Sequence, residues 1–278
     1  MKLFSTPPLS LYAPDSAPAP SAPRVVPVTR LAQGGRWRVE AMRALTEPCL
    51  LWFTRGQGRI TLGGLTRGYG AHNAIFIPAG VMHGFEVGSQ TQGAAVFFGH
   101  ESDSALPRSA QHLRIRDSGP QVELSGLIDS VAREIDSPKP GAARAAQMYL
   151  GLIGVWLERQ AVLVPNEAQP SDAARRLVSR YAELLERDFR QGFGVADFAA
   201  ALGVTATHLT RVCRQTCARS AHDLLQDRRL YEARRLLADT AAPVKDISDG
   251  LGFTSPAYFT RAFHARTGKT PSEFRKAG

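Results

Sequence analysis

Two segments whose starts lie 49 residues apart carry nearly the same pattern: LGVTATHLTRVCRQTCARS (Leu202 to Ser220) and LGFTSPAYFTRAFHARTGKT (Leu251 to Thr270). Leu202-Gly203-Val204-Thr205 answers Leu251-Gly252-Phe253-Thr254, and after one inserted residue Leu209-Thr210-Arg211 answers Phe259-Thr260-Arg261. Each copy follows a short helix-like run, VADFAAALG or VKDISDGLG. A helix, a glycine that tolerates a left-handed conformation, and a second helix opened by Thr or Ser make a helix-turn-helix. Pro256, directly after Ser255, sits where the first position of a helix uses its fixed φ. A chain that contains this unit twice is committed to a small all-α domain around it.

Helical geometry then sorts the side chains. At about 100° per residue, Phe259, Ala262 and Phe263 share one side of the second copy. Arg261 points the other way, near Ala257, Tyr258, His264 and Ala265. The first copy repeats this, with Leu209, Val212 and Cys213 inward and Thr207, His208, Arg211 and Arg214 outward. A front of Arg, His, Thr and Tyr over an apolar back suits base edges and phosphates, because a guanidinium can bond guanine in a bidentate way. An isolated arginine on one helix would read as a solvated surface group. The duplication, the small neighbours and the local charge weigh against that. From Ser171 onward there are 18 Lys and Arg against 12 Asp and Glu, and before it 16 against 13.

Three stretches in this region resemble the AraC/XylS family of bacterial transcription regulators. They are FAAALGVTATHLTRVCRQ, then RRLYEARRLLADTAAPVKDISDGLGF, then YFTRAFHARTGKTPSEFR. The closing GKTPSEFR, close to the family's terminal Gly-x-Thr-Pro-x-x-Tyr/Phe-Arg, is the most specific piece. The resemblance implies two helix-turn-helix units joined by one long helix and entering successive major grooves of a double-stranded operator. That helix falls within SAHDLLQDRRLYEARRLLADT. Twenty helical residues span roughly 30 Å, against about 34 Å between successive major grooves on one face. By motif position Thr207, Thr210 and Arg211 of the first unit, and Ala257, Tyr258 and Arg261 of the second, are expected to contact DNA; His208, Arg214 and His264 accompany them. The chain departs from the family at Cys213, usually an aromatic, and at Ala218, usually a glycine, and Gly250 should weaken its helix.

Upstream the pattern changes. APDSAPAPSAPRVVP, within residues 1–27, reads as an extended, flexible arm. From 28 to 118, short β-like runs (CLLWF, GRITL, NAIFIP, GFEVG, AAVFF) are split by glycines at the spacing of a small sandwich or barrel. HNAIFIPAGVMHGFEVG resembles the second motif of a cupin barrel, with Pro78, Gly80 and His83 in the Pro-x-Gly-x-x-His positions. The histidine pair of the first cupin motif is missing, and His83 alone cannot hold a catalytic metal, so a metal-free, non-enzymatic barrel is expected, with no cofactor. The resemblance implies an effector-binding barrel, for which Trp52, Arg55, Arg59, His83 and Phe85 are the candidate pocket residues; the competing reading is core for the aromatics and surface for the arginines.

Residues 119–163 show two helical patterns separated by SPKPG, a helical hairpin. By the same resemblance it carries a homodimer interface on the broad apolar surface of Leu150, Leu152, Ile153, Trp156 and Leu157, with Leu150, Ile153, Trp156 and Leu157 as its main residues, unless that surface packs on its own barrel. Residues 164–173 read as a linker, and 174–278 as the DNA-binding domain, with helix-turn-helix units at about 193–215 and 242–266 and the joining helix at about 220–239.

The fold class expected is therefore α+β in two domains: a cupin-like β-barrel with a helical hairpin, then an all-α double helix-turn-helix domain. An apolar content of 44% excludes a mostly disordered chain, and no run of eighteen apolar residues marks a membrane span. The N-terminal stretch is a poor signal peptide, and three cysteines without a CxxC pair fit a reducing cytoplasm. The expected function is a sequence-specific regulator controlled by a small-molecule effector. The alternative is an effector-independent regulator governed by abundance or a protein partner. RNA polymerase enters as a partner only through the regulator role, since no residue marks a contact with it.

Overall fold

Side-chain alternation along one strand organises the N-terminal half. In β2 (Cys49–Arg55), Cys49, Leu51 and Phe53 enter one apolar cluster, while Leu50 and Trp52 enter another. A strand that is apolar on both faces must be covered on both. The computed structural model describes residues 22–33, 35–99, 106–167 and 172–276, and they fall into two compact units, one of 172–276 with 41–43 and one of the remaining N-terminal residues.

In the N-terminal unit, the remaining strands are β1 (Arg24–Pro27), β3 (Gly58–Leu62), β4 (Leu65–Tyr69), β5 (Asn73–Ile77), β6 (His83–Phe85), β7 (Gln92–Phe97) and β8 (Gln111–Arg114). A 3₁₀ turn (Val28–Ala32) and the short helix α1 (Trp37–Glu40) lie between β1 and β2. One sheet has the order β1-β7-β2-β5-β8 and the other β4-β3-β6. Between the sheets lie Phe53, Ile60, Leu62, Tyr69, Ile75, Ile77 and Phe85, and the Phe53 and Tyr69 rings stack with centroids 3.9 Å apart. The outer face of the larger sheet is covered by α2 (Ser118–Ile135) and α3 (Ala142–Leu163), which supply Leu124, Ile128, Val131, Leu150, Ile153, Trp156 and Leu157.

Three expectations change here. Among the described residues the strands make two separate sheets and not a closed barrel: β2 is paired on both edges, by β7 and β5, and β3 pairs with β4 and β6 of the other sheet. The end of the expected N-terminal arm is a strand, since Arg24–Pro27 pairs with β7; residues 1–21 of that arm lie outside the described residues. The start of the expected linker is pinned to β8. Asn166 Oδ1 accepts from the His112 amide at 2.9 Å, and the Glu167 carboxylate meets Arg114 Nε at 2.7 Å. Residues 168–171 of the linker lie outside the described residues.

The C-terminal unit is all helix: α4 (Ala173–Asp188), α5 (Val195–Ala201), α6 (Ala206–Cys217), α7 (Ala221–Asp239), α8 (Val244–Gly250), α9 (Pro256–Thr267) and α10 (Pro271–Lys276). Gly250 is the last residue of α8, not an interior one. The long helix α7 is the spine. Eleven of its residues are buried, among them Leu224, Leu225, Leu230, Ala233, Leu236 and Leu237. Ser220 and Asp223 form a reciprocal capping box at its start, satisfying backbone N–H groups that the first turn leaves open.

Candidate nucleic-acid interface

Each helix-turn-helix is built from local rules that the sequence states openly. α5 stops at Gly203 (φ 71°) and α8 at Gly252 (φ 69°), both in the left-handed region. Thr205 caps α6 by accepting the His208 amide at 3.2 Å, and Ser255 caps α9 by accepting the Tyr258 amide at 3.2 Å. The cap of the second unit thus falls on Ser255, which makes Thr254 the inserted residue and the second turn one residue longer. Pro256 occupies the first helical position.

The apolar backs close onto the unit's core: Leu209, Val212, Cys213 and Cys217 of α6, and Phe259 and Phe263 of α9, are buried. Burial also pushes the Cys213 thiol up to about 12, so it is a small core group without thiolate character. What remains outward on α6 is Thr207, His208, Arg211 and Arg214, with Thr210 half-buried. On α9 it is Ala257, Tyr258, Arg261 and His264. Arg211 Nη2 lies 3.1 Å from His208 Nδ1, one helical turn away, so this pair is held as a unit on the exposed face. Arg214 and Arg261 make no hydrogen bond or ion pair among the described residues. Gln215 is exposed beside them on α6, a polar neighbour that the residue pattern did not single out.

Several other arginines of this unit are held by partners within it, and two of them are buried. Arg228 is 4% exposed; it bonds Glu186 of α4 through Nε and Nη2 (2.7 and 2.8 Å) and Glu232 through Nη1 (3.2 Å). Burial would raise the Glu232 carboxyl, but Arg228, Arg235 and Arg190 outweigh it and hold the group below the usual carboxylate range. Arg229 is 5% exposed and donates to the carbonyls of Phe189 (2.7 Å) and Phe193 (3.0 Å); burial lowers it to about 10. Arg266 of α9 turns back to Asp223 at 2.8 Å, and Arg275 reaches the Leu237 carbonyl. Composition cannot separate these from DNA-facing arginines. The one local signal is the spacing of Arg228 and Glu232, four apart on one helix.

The effector candidates are not brought together. Trp52 is buried against α2, its Nε1 donating to Ser125 Oγ at 3.1 Å, whereas Phe85 lies between the sheets. Trp52 leaves the larger sheet on its helix-covered face, while Phe85, on β6 of the smaller sheet, enters the layer between the sheets. His83 is buried with Nδ1 donating to the Val81 carbonyl at 2.9 Å. Arg55 is exposed, and Arg59, also exposed, pairs with Glu86 at 2.7 Å. His112 is fully buried; its Nε2 donates to Asn73 Oδ1 at 2.7 Å, and burial lowers its pKa to about 4, so it is neutral near pH 7. The dimer candidates are spent as well. Leu150, Ile153, Trp156 and Leu157 are all at most 1% exposed, packed on the chain's own sheet. α3 is apolar around most of its circumference, and the stripe that faces outward is another one: Met148 (64% exposed), Leu152 (49%), Val155 (38%) and Val162 (86%).

Comparison with known proteins bears on the C-terminal unit most directly. Residues 198–277 match the model of a helix-turn-helix domain family. The HTH-type transcriptional regulator CdhR of Pseudomonas aeruginosa is 26% identical over 243 residues, covering 85% of this chain and 69% of that protein. The arabinose operon regulatory protein of Escherichia coli is 32% identical over 140 residues, 48% of this chain and 47% of the relative. Its Salmonella typhimurium counterpart is 30% identical over 119 residues, 43% and 42%. The chain thus spans about two thirds of the first of these relatives and less than half of the other two.

Proposed function

The chain belongs to the AraC/XylS family of DNA-binding transcription regulators, and on that premise we propose that α6 and α9 are its two reading helices. The observation that carries this reading is the pair of matched outward faces: Thr207, His208, Arg211 and Arg214 with the half-buried Thr210 on one, Ala257, Tyr258, Arg261 and His264 on the other. Both stand on capped helices whose opposite faces are core. The exposed side chains of Arg214 and Arg261, unbonded among the described residues, can meet guanine or phosphate. Selection of bound duplexes from a random pool by the full-length protein tests the proposal. A recurring bipartite sequence is the expected result. Enrichment without sequence preference, with affinity collapsing steeply as salt rises, would reduce the protein to a backbone binder.

The regulatory role falls to the N-terminal unit, which we propose responds to a small-molecule effector. The filling of the inter-sheet space by Phe53, Tyr69 and Phe85 favours the second reading, control by abundance or a protein partner. A thermal-shift screen of small carboxylates and aromatics on the full chain separates the two. A stabilising compound supports the effector, and a uniformly flat response supports the second reading.

Homodimerisation belongs to the same proposal, through a stripe that keeps only Leu152 of the surface the sequence suggested. Met148, Leu152, Val155 and Val162 recur at steps of four and three residues, with Arg159 filling the one gap, the spacing of a two-helix seam. Leu152→Glu with Val155→Lys should convert a dimer to a monomer in light scattering; a wild-type monomer at micromolar concentration would count against it. No described helix is long and apolar enough to cross a membrane.

A further inference from the structure

The spine α7 joins the two helix-turn-helix units in sequence, and a close backbone approach between Gly192 and Gly252 joins them in space. A Cβ built on Gly252 would lie 2.6 Å from Gly192 Cα and 2.7 Å from the Arg190 carbonyl oxygen, with the Gly192 nitrogen nearer still. Packed atoms do not come that close. Gly192 is in the α4–α5 connection of the first unit; Gly252 is the turn of the second. Gly203, which has the same role and nearly the same φ in the first unit, has nothing within 4 Å of such a Cβ. The closeness at Gly252 therefore does not follow from the helix-turn-helix itself.

The surrounding side chains hold this contact in place. Arg229 of α7 donates to the carbonyls of Phe189 and Phe193 on either side of Gly192. Its guanidinium lies 5.8 Å from the ring of Phe253, the residue after Gly252. Arg190 reaches Glu232 of α7 at 3.9 Å and covers the Phe189 ring at 4.8 Å. One buried arginine thus grips the connection of the first unit and sits against the turn of the second.

We infer that the Gly192–Gly252 backbone contact, clamped by Arg229, is a positioning element that sets the distance and rotational phase between α6 and α9, and hence the spacer between the two halves of the DNA site. The inference rests on the proposal that both helices read DNA. A rigid gauge has a consequence that a flexible pair of heads lacks. Inserting one base pair moves the second half-site by about 3.4 Å and turns it by roughly 35°. α9 cannot follow without breaking the contact.

The test uses the full-length protein and the bipartite duplex recovered by selection, with its spacer lengthened or shortened by one base pair. Wild type should lose about tenfold or more in affinity from either change, of the order of a disrupted base readout. Gly203→Ala, which adds the same left-handed strain in the first unit, should keep the wild-type spacer. Gly252→Ala should shift the preferred spacer or cut the penalty to less than about threefold, while leaving base preference within each half unchanged. If Gly252→Ala is too unstable to bind any duplex, Arg229→Lys is read in its place, since it keeps the charge but cannot make both carbonyl bonds. A wild type that tolerates the altered spacers, or a folded Gly252→Ala or Arg229→Lys with the full wild-type penalty, overturns the inference. Failure to select any bipartite sequence would instead sink the DNA-reading premise.

Discussion

The two helix-turn-helix units are near copies in sequence, yet they are anchored by different physics. α6 closes on small groups: Leu209, Val212, Cys213 and Cys217. α9 closes on a train of aromatic rings, with Phe253 to Phe259 at 5.0 Å, Phe259 to Phe263 at 5.7 Å and Phe263 to Phe274 at 5.5 Å. α6 ends on Ala218, forced to φ 56°, where α9 ends on Gly268 at φ 71°. The first turn is sterically open at Gly203, and the second is pressed onto Gly192. The same backbone motif can therefore be stabilised by aromatic packing and backbone contact in one copy, and by small apolar contacts in the other.

The sharpest way to break this comparison is in the cores. Phe263→Ala should cost about 4 kcal/mol, and Cys213→Ala, at the equivalent position, only about 1 kcal/mol. Chemical denaturation monitored by circular dichroism gives both numbers; equal costs would erase the distinction. The turns come next. Gly252→Ala adds overpacking to left-handed strain and should cost about 3 kcal/mol, against about 1 kcal/mol for Gly203→Ala. The helix ends are a smaller test with opposite signs. Ala218→Gly relieves a strained non-glycine residue and should stabilise by about 1 kcal/mol, whereas Gly268→Ala should destabilise by a similar amount. Smallest is Arg266→Ala. It loses a half-exposed pair with Asp223, worth about 0.5 kcal/mol and fading with added salt.

What was legible in the sequence was whatever local geometry decides. Caps, glycine turns and the inward faces of α6 and α9 follow from spacing alone, and the structure has Thr205, Ser255, Leu209, Phe259 and Phe263 in those roles. What was not legible needed a distant partner. The roles of Arg228 and Arg229 are set by Glu186 and the Phe189 and Phe193 carbonyls, 36 to 42 residues away, which no local pattern reveals. On α3, nearly apolar all round, the residue pattern presents one broad surface, and only packing on the sheet divides it, with Leu150, Ile153 and Leu157 inward and Leu152 and Val155 outward. Trp52 and Phe85 were grouped by proximity to predicted strands, but alternation sends them to different layers. The two sheets stay separate in the pairing: both edges of β2 are taken, by β7 and β5, and β3 pairs instead with β4 and β6, which hydrophobic patterning does not encode.

The central claim is that the exposed faces of α6 and α9 read bases, with Arg261 as the second unit's principal contact. Its most direct test is the affinity of Arg261→Ala for the selected duplex and for its variants at each position, measured beside random duplex at one salt concentration. The account predicts a loss of about 1–3 kcal/mol on the selected site, relaxed preference at one position of the half-site facing α9, and a much smaller loss on random DNA. An equal loss on selected and random duplexes, with preference intact at every position, would contradict it.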